Sequence, residues 1–192
     1  MSWDNERFKK CAEQIRWSLK GKQNPLGVPF FIYVYDPKDE RICIRNFKDL
    51  ARHLESDGFH IQVVYMGKIL AYALRQTPYL EQGAEIERAN RPALLRELSQ
   101  NLPEIIAEML LKGVNGLVEP LEGAVPSGKG AFLLRAGALF PFVHVSEILS
   151  HLENKTHWTV LVPFPGSHNP SHPERLRFLN ETEGRYYRAT VL

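Results

Sequence analysis

Phe8, Cys11, Ala12, Ile15 and Leu19 recur at helical spacing between Trp3 and Lys20, and lysines and glutamates fill the other face. The pattern predicts an amphipathic helix that Gly21 ends, followed by a turn-rich linker to Gly27. Pro29 to Tyr35 is apolar at both alternating sets of positions, which predicts a strand covered on both faces. Asp36-Pro37 stops it, because proline cannot continue a central ladder. Asn46 is then placed to open a helix with Phe47, Leu50, Ala51 and Leu54 as its stripe and Gly58 as its end. Ile61 to Tyr65 predicts the next strand, and Gly67 to Thr77 another helix stopped by Pro78. Strand and helix alternate, which is the signature of a layered α/β domain.

The second half is less regular. Tyr79 to Ala89 is polar and reads as irregular. From Arg91 to Lys112 the leucines and isoleucines fall on one stripe, interrupted by Pro103. Asn101 with Glu104 forms a capping-box pattern around that proline, which predicts two successive helices rather than one. Gly113 to Gly130 is rich in Gly and Pro and reads as a loop. Ala131 to Leu134 is a short strand, Val145 to Leu152 a short helix, and Trp158 to Val162 a strand. Pro163 to Pro173 reads as a loop, and Tyr186 to Leu192 as a closing strand. On that strand Tyr187, Ala189 and Val191 share the more apolar face, and Tyr186, Arg188 and Thr190 the other. The fold class expected is α/β, a mostly parallel sheet of about five strands with helices on both faces.

The chain has 192 residues, 44 % hydrophobic and 24 % charged, which fits one globular domain. Residues 1–192 are read as a single unit, with an N-terminal helix over 1–20 and a core over 29–192. A chain of this length buries roughly 70 % of its unfolded surface, so it needs no metal or disulfide to hold a core. Two cysteines, Cys11 on the first helix and Cys43 after the first strand, do not make a disulfide framework. With no basic and apolar leader at Met1 and no apolar run long enough to span a bilayer, a cytoplasmic, non-membrane protein is expected.

Gly123-Ala124-Val125-Pro126-Ser127-Gly128-Lys129-Gly130 fits the phosphate-loop pattern up to its lysine. The next position should carry a hydroxyl for magnesium and is Gly130. The segment also leads into a predicted strand, whereas a phosphate loop opens a helix whose amides point at the phosphates. The domain is thus a nucleotide-binding-like sandwich without a functional phosphate loop, and no cofactor is expected. His144, His151, His157, His168 and His172 crowd the C-terminal part. His168 and His172 have ligand spacing for a helix, but Pro170 and Pro173 argue against one, and no metal site is expected. Asp36 ends the first strand, where open α/β sheets bind ligands. The reading as the turn residue before Pro37, which Asp favours for its side-chain bond to the backbone, is preferred to the ligand reading. Neither cysteine has a neighbouring histidine, and no Gly-x-Ser-x-Gly elbow occurs, so no catalytic residue is assigned. Arg135, Arg175, Arg177, Arg185, Tyr186, Tyr187 and Arg188 are the residue types that concentrate binding energy at protein interfaces.

Phe132-Leu133-Leu134-Arg135-Ala136-Gly137-Ala138-Leu139-Phe140-Pro141-Phe142-Val143, then Val162-Pro163-Phe164-Pro165-Gly166, Leu176-Arg177-Phe178-Leu179 and Tyr186-Tyr187-Arg188-Ala189 follow in an order that resembles the BrxB-like family of bacteriophage-exclusion (BREX) defence systems. Val28-Pro29-Phe30-Phe31-Ile32-Tyr33 with Asp36-Pro37 agrees at the front, so the resemblance spans about Pro29 to Leu192. The family pattern has an arginine and a histidine soon after its Gly-x-x-x-Pro stretch; here Val143-His144-Val145 lacks the arginine. The resemblance implies a non-enzymatic assembly or adaptor subunit of an antiphage complex, working beside a PglZ-like protein of the alkaline-phosphatase superfamily and a large ATPase.

Partner-binding candidates on this reading are Arg185, Tyr186 and Arg188. The alternative is a nucleotide- or nucleic-acid-processing enzyme with its site at the carboxyl ends of the strands, near Asp36, Tyr65 and Arg135. A formal net charge of +2 gives little long-range attraction for phosphate backbones. Duplex DNA should therefore bind weakly and without sequence preference. A gel shift at physiological salt checks this, and nanomolar affinity would contradict it.

Overall fold

The computed structural model describes residues 5–21, 27–77, 79–121, 128–172, 175–179 and 186–192, with backbone only for 79–89. The elements run α1 (Asn5–Leu19), β1 (Phe30–Tyr35), α2 (Glu40–Ser56), β2 (His60–Tyr65), α3 (Met66–Arg75), α4 (Tyr79–Lys112), β3 (Lys129–Leu134), α5 (Val145–Leu152), β4 (Thr159–His168), β5 (Leu176–Phe178) and β6 (Thr190–Val191). The sheet order is β2-β3-β4-β1-β6, all parallel along that path, with β5 antiparallel on β4. This is the α/β sandwich with a mostly parallel sheet that the alternation predicts.

β1 shows why the sheet is covered twice. All six of its residues are buried. Phe30, Ile32 and Val34 join the core with α3, α4 and α5, while Phe31, Tyr33 and Tyr35 join the core with α1 and α2. Period-two alternation along an apolar strand thus feeds two separate cores. α2 buries Phe47, Leu50, Ala51 and Leu54 as its stripe predicts, each large side chain contributing about 1.5–3 kcal/mol. Cys43, expected just after a strand, lies buried on this helix. The helix begins at Glu40, six residues before the expected cap at Asn46, because a 3-10 turn over Pro37–Asp39 runs straight into it. The Asp36 side chain caps that turn by accepting from the Lys38 N–H at 3.2 Å.

Two further expectations are corrected in α4. Tyr79 to Ala89, read as irregular, has helical backbone. The break comes at Asn90 (φ −160°, ψ 76°), not at Pro103. Asn90 Oδ1 accepts from the Ala93 N–H at 3.1 Å and so caps the run that follows. Pro92 lies in its first turn, where a missing N–H costs nothing. Pro103 stands inside the helix, flanked by buried Leu102, Ile106, Ala107 and Leu110. Packing on that stripe offsets the lost backbone bond, which costs about 3 kcal/mol in an unsupported helix.

The stretch read as a loop from Pro163 is the second half of β4, which reaches His168. The prolines fit because of the side they face. The Val160 N–H donates to Pro29 O, so even-numbered residues of β4 aim their backbone groups at β1. Pro163 and Pro165 aim theirs the other way, where pairing with β3 stops at Phe132–Leu161. Pro165 O accepts from Leu179 N–H instead. At the far edge only Thr190 and Val191 join the ladder, shorter than the strand expected from Tyr186. Arg7 on α1 reinforces that edge: its guanidinium stacks on Tyr33 at 4.6 Å and donates to the carbonyls of Val34 and Leu192.

Gly166 is the one residue in β4 whose lack of a side chain is strictly required. A Cβ there would lie 2.0 Å from the Arg177 carbonyl oxygen of β5. Gly166→Ala is expected to push β5 off β4 and to destabilise the domain by about 2–3 kcal/mol. Chemical denaturation of the two proteins checks this; an unchanged midpoint would contradict the close packing.

Candidate functional site

The exits from the strands diverge at the carboxyl edge of the sheet. From β1 the chain passes to the α2 face, while from β2 and β3 it passes to the opposite face. Such divergence leaves a crevice above the strand ends. Here it is a groove of about 810 Å³. Pro37 and Glu40 line it from the β1 exit, Gly67, Lys68 and Ala71 from α3, and Gly137 and Ala138 from the turn after β3. Pro165 and Leu179 close the side where β3 and β4 part.

Four polar side chains meet around it. The Tyr35 hydroxyl donates to Glu40 Oε2, and Arg135 Nε faces Glu40 Oε1 at 3.7 Å. Burial, reinforced by the bond to Glu40, pushes the Tyr35 phenol far above its ordinary pKa, so it remains a donor. Arg135 is largely exposed and Glu40 about a third exposed, so their pairing orients more than it stabilises. Lys68 Nζ stands 5.8 Å above the Tyr65 ring. Arg135 takes a left-handed backbone (φ 61°, ψ 43°), as does Leu179 (φ 50°). Non-glycine residues held in that region cost energy and collect at ligand clamps. Gly67 lets α3 approach the turn after β3, since a Cβ there would be 3.2 Å from Ala138 Cβ.

The sequence therefore locates two of the three groove candidates. Tyr65 and Arg135 line it; Asp36 does not. Asp36 serves its turn and pairs with Lys38 at 2.8 Å, which holds its carboxyl below the usual range. Glu40, Tyr35 and Lys68 are the groups sequence reading misses. The signal for Glu40 is Asp36-Pro37, a cap followed by an N1 proline, which marks the start of the turn that becomes α2.

The other candidates fall elsewhere. Gly123 to Ser127 lie outside the described residues. Lys129 and Gly130 begin a strand, at the amino edge, and Lys129 Nζ lies 5.3 Å from the Trp158 ring. His168 ends β4, and His172 follows in a turn whose N–H donates to Asn169 O, so the two are not on one helix. Among the described residues no three His, Cys, Asp or Glu side chains group as a metal site. Cys11 and Cys43 are buried, and burial raises both thiols, Cys11 to about 12, so neither is an activated nucleophile.

The C-terminal set divides: Arg177 on β5 pairs opposite Ser167 at the carboxyl end of β4, at the same end of the sheet as Arg135, whereas Tyr186 and Arg188 lie at the other end. Tyr186 and Arg188 sit at the amino edge around a hollow of about 260 Å³ with Val28 and Glu153. Arg185 lies outside the described residues. Tyr187 and Ala189 are buried, and Tyr186 is 65 % exposed, as the alternation predicts. Arg188 Nη1 donates to both carboxylate oxygens of Glu153, at 2.7 and 2.8 Å.

A family model described as BREX protein BrxB matches residues 63–192. The chain belongs to the BrxB family. It is therefore a component of BREX antiphage defence. The match begins inside β2 and takes in Tyr65, Lys68, Arg135 and the Tyr186–Arg188 segment; the front end to residue 62, with Glu40, precedes it. No curated protein and no solved structure matches. No described helix is long and apolar enough to cross a membrane.

Lys129 starts a strand rather than a helix and lies over the Trp158 ring at the amino edge, so it is not expected to hold phosphate. Titration of ATP with magnesium should give the same result for the wild-type protein and Lys129→Ala. Micromolar binding abolished by the substitution would overturn this.

Proposed function

We propose that this BrxB-family chain is a non-enzymatic adaptor subunit of a cytoplasmic BREX complex, joining a PglZ-like protein and the BREX ATPase through protein contacts. The observation that supports it most is the terminal segment. Tyr187 and Ala189 anchor it in the core, so Tyr186 and Arg188 are held outward beside a hollow rather than on a loose end. Tyr and Arg on a fixed backbone supply large contact area and directional hydrogen bonds at little cost in ordering. Arg188 is in addition preset by Glu153, whose side chain is mostly covered. Arg185, just upstream, is the third candidate.

Co-expression with the PglZ-like protein and the ATPase, followed by affinity purification, tests the reading. Tyr186→Ala and Arg188→Glu should each weaken capture of a partner, by about 2 kcal/mol if they are hot spots. The melting temperature of the isolated chain should hold in Tyr186→Ala, since that ring packs little in the free protein. Full capture by both variants would place the contact elsewhere, and a large fall in melting temperature with capture intact would make the residues structural.

A further inference from the structure

The groove at the carboxyl edge lies at the opposite end of the sheet from the Tyr186–Arg188 surface, and docking there makes no use of it. Its volume, about 810 Å³, lies within the range of small-molecule sites, and the groove is open to solvent. Its lining has two parts. Pro37, Ala71, Ala138 and Pro165 are small or rigid and apolar, and they offer surface for a flat body. Arg135, Lys68 and Glu40 are charged, two cations against one carboxylate.

Each charged group has a fixed or directed role. Glu40 is tied on one oxygen by the Tyr35 hydroxyl, and its other oxygen faces Arg135 Nε. Arg135 Nε faces Glu40 Oε1 at 3.7 Å, beyond hydrogen-bond distance, so the carboxylate attracts the guanidinium towards the groove without using its donors, and a second, fork-shaped partner can take them. Lys68 adds a point charge from the first turn of α3, on the Tyr65 ring. The helix end adds partial positive charge of the same sign. An anion therefore belongs with Arg135 and Lys68. A bare inorganic anion would leave the apolar lining wet, so the fitting ligand carries a flat apolar body as well. Glu40 accepts hydrogen bonds only, which calls for hydroxyl or amino donors on that body. We infer that the groove binds a small phosphorylated ligand with a flat, donor-bearing body, of the nucleoside monophosphate class. The phosphate sits between Arg135 and Lys68, and the body lies along the apolar lining within reach of Glu40.

The test is isothermal titration of the full chain with each of the four ribonucleoside monophosphates, and with adenosine and inorganic phosphate as the separated halves. At least one monophosphate should bind saturably in the micromolar range, and each half should bind at least about tenfold more weakly. Arg135→Asn removes the guanidinium while keeping a residue that tolerates the left-handed backbone, and should weaken binding about tenfold. Lys68→Gln, at an exposed position, gives the same reading should Arg135→Asn fail to fold. Ala71→Tyr should fill the groove and abolish binding, and Lys129→Ala should leave it unchanged. Absence of saturable binding by all four nucleotides at millimolar concentration would overturn the assignment. Binding indifferent to both Arg135→Asn and Lys68→Gln, or inorganic phosphate matching the nucleotides, would overturn it equally.

Discussion

The pairing of β1 with β4 is the constraint on which the rest of the molecule depends. Six residues of each run parallel and in register, Phe30 with Val160 through Tyr35 with Pro165. Parallel strands cannot be joined by a short turn, so the chain must leave and return by helices. Both strands are buried on both faces, so those helices must cover the sheet twice. The placement of α1 and α2 on one side and α3, α4 and α5 on the other follows. Two aromatic clusters show how tightly each face is filled: Tyr33, Phe47 and Phe132 on the first, Phe164, Phe178 and Tyr187 on the second.

The same pairing generates the groove. Pro163 and Pro165 spend their missing N–H groups on the side away from β1, so the central ladder survives while the ladder to β3 ends at Leu161. β3 continues to Leu134 paired with β2 only, and Arg135 then turns its backbone left-handed. A crevice at this point is the local result of two imino acids in a strand. The groove and the Tyr186 surface consequently lie at opposite ends of one rigid sheet, and an occupant of one leaves the other open.

Most of the architecture was legible in the sequence, and the failures have identifiable causes. The doubly apolar run Phe30 to Tyr35, the stripe of α2 and the exposed–buried alternation of Tyr186 to Ala189 are local patterns, and local patterns read true. α2 started early because a capped 3-10 turn can feed a helix without a break. β4 ran long because a proline's effect depends on which neighbour its nitrogen faces, and this is set by partners distant in sequence. The helix continued through Pro103 because tertiary packing outweighed a local propensity, and the break went to Asn90, whose cap is visible in sequence only once the start is known. In the groove, Tyr65 and Arg135 follow from their position at strand ends. Glu40 and Lys68 do not, since nothing in their spacing shows that α2 and α3 begin beside one another in space.

The clamp formed by Arg7 bears on the β6 border of the sheet. An outer strand with free N–H and C=O groups is a template on which another chain can add. β6 offers only two residues to such an intruder. The carbonyls beside it, Val34 and Leu192, are already taken by the Arg7 guanidinium, a charged group carried in from the helix layer. One arginine on the first helix thus serves as a chemical selvedge for this border of the fabric, taking up two carbonyls that a neighbouring strand would otherwise stitch to.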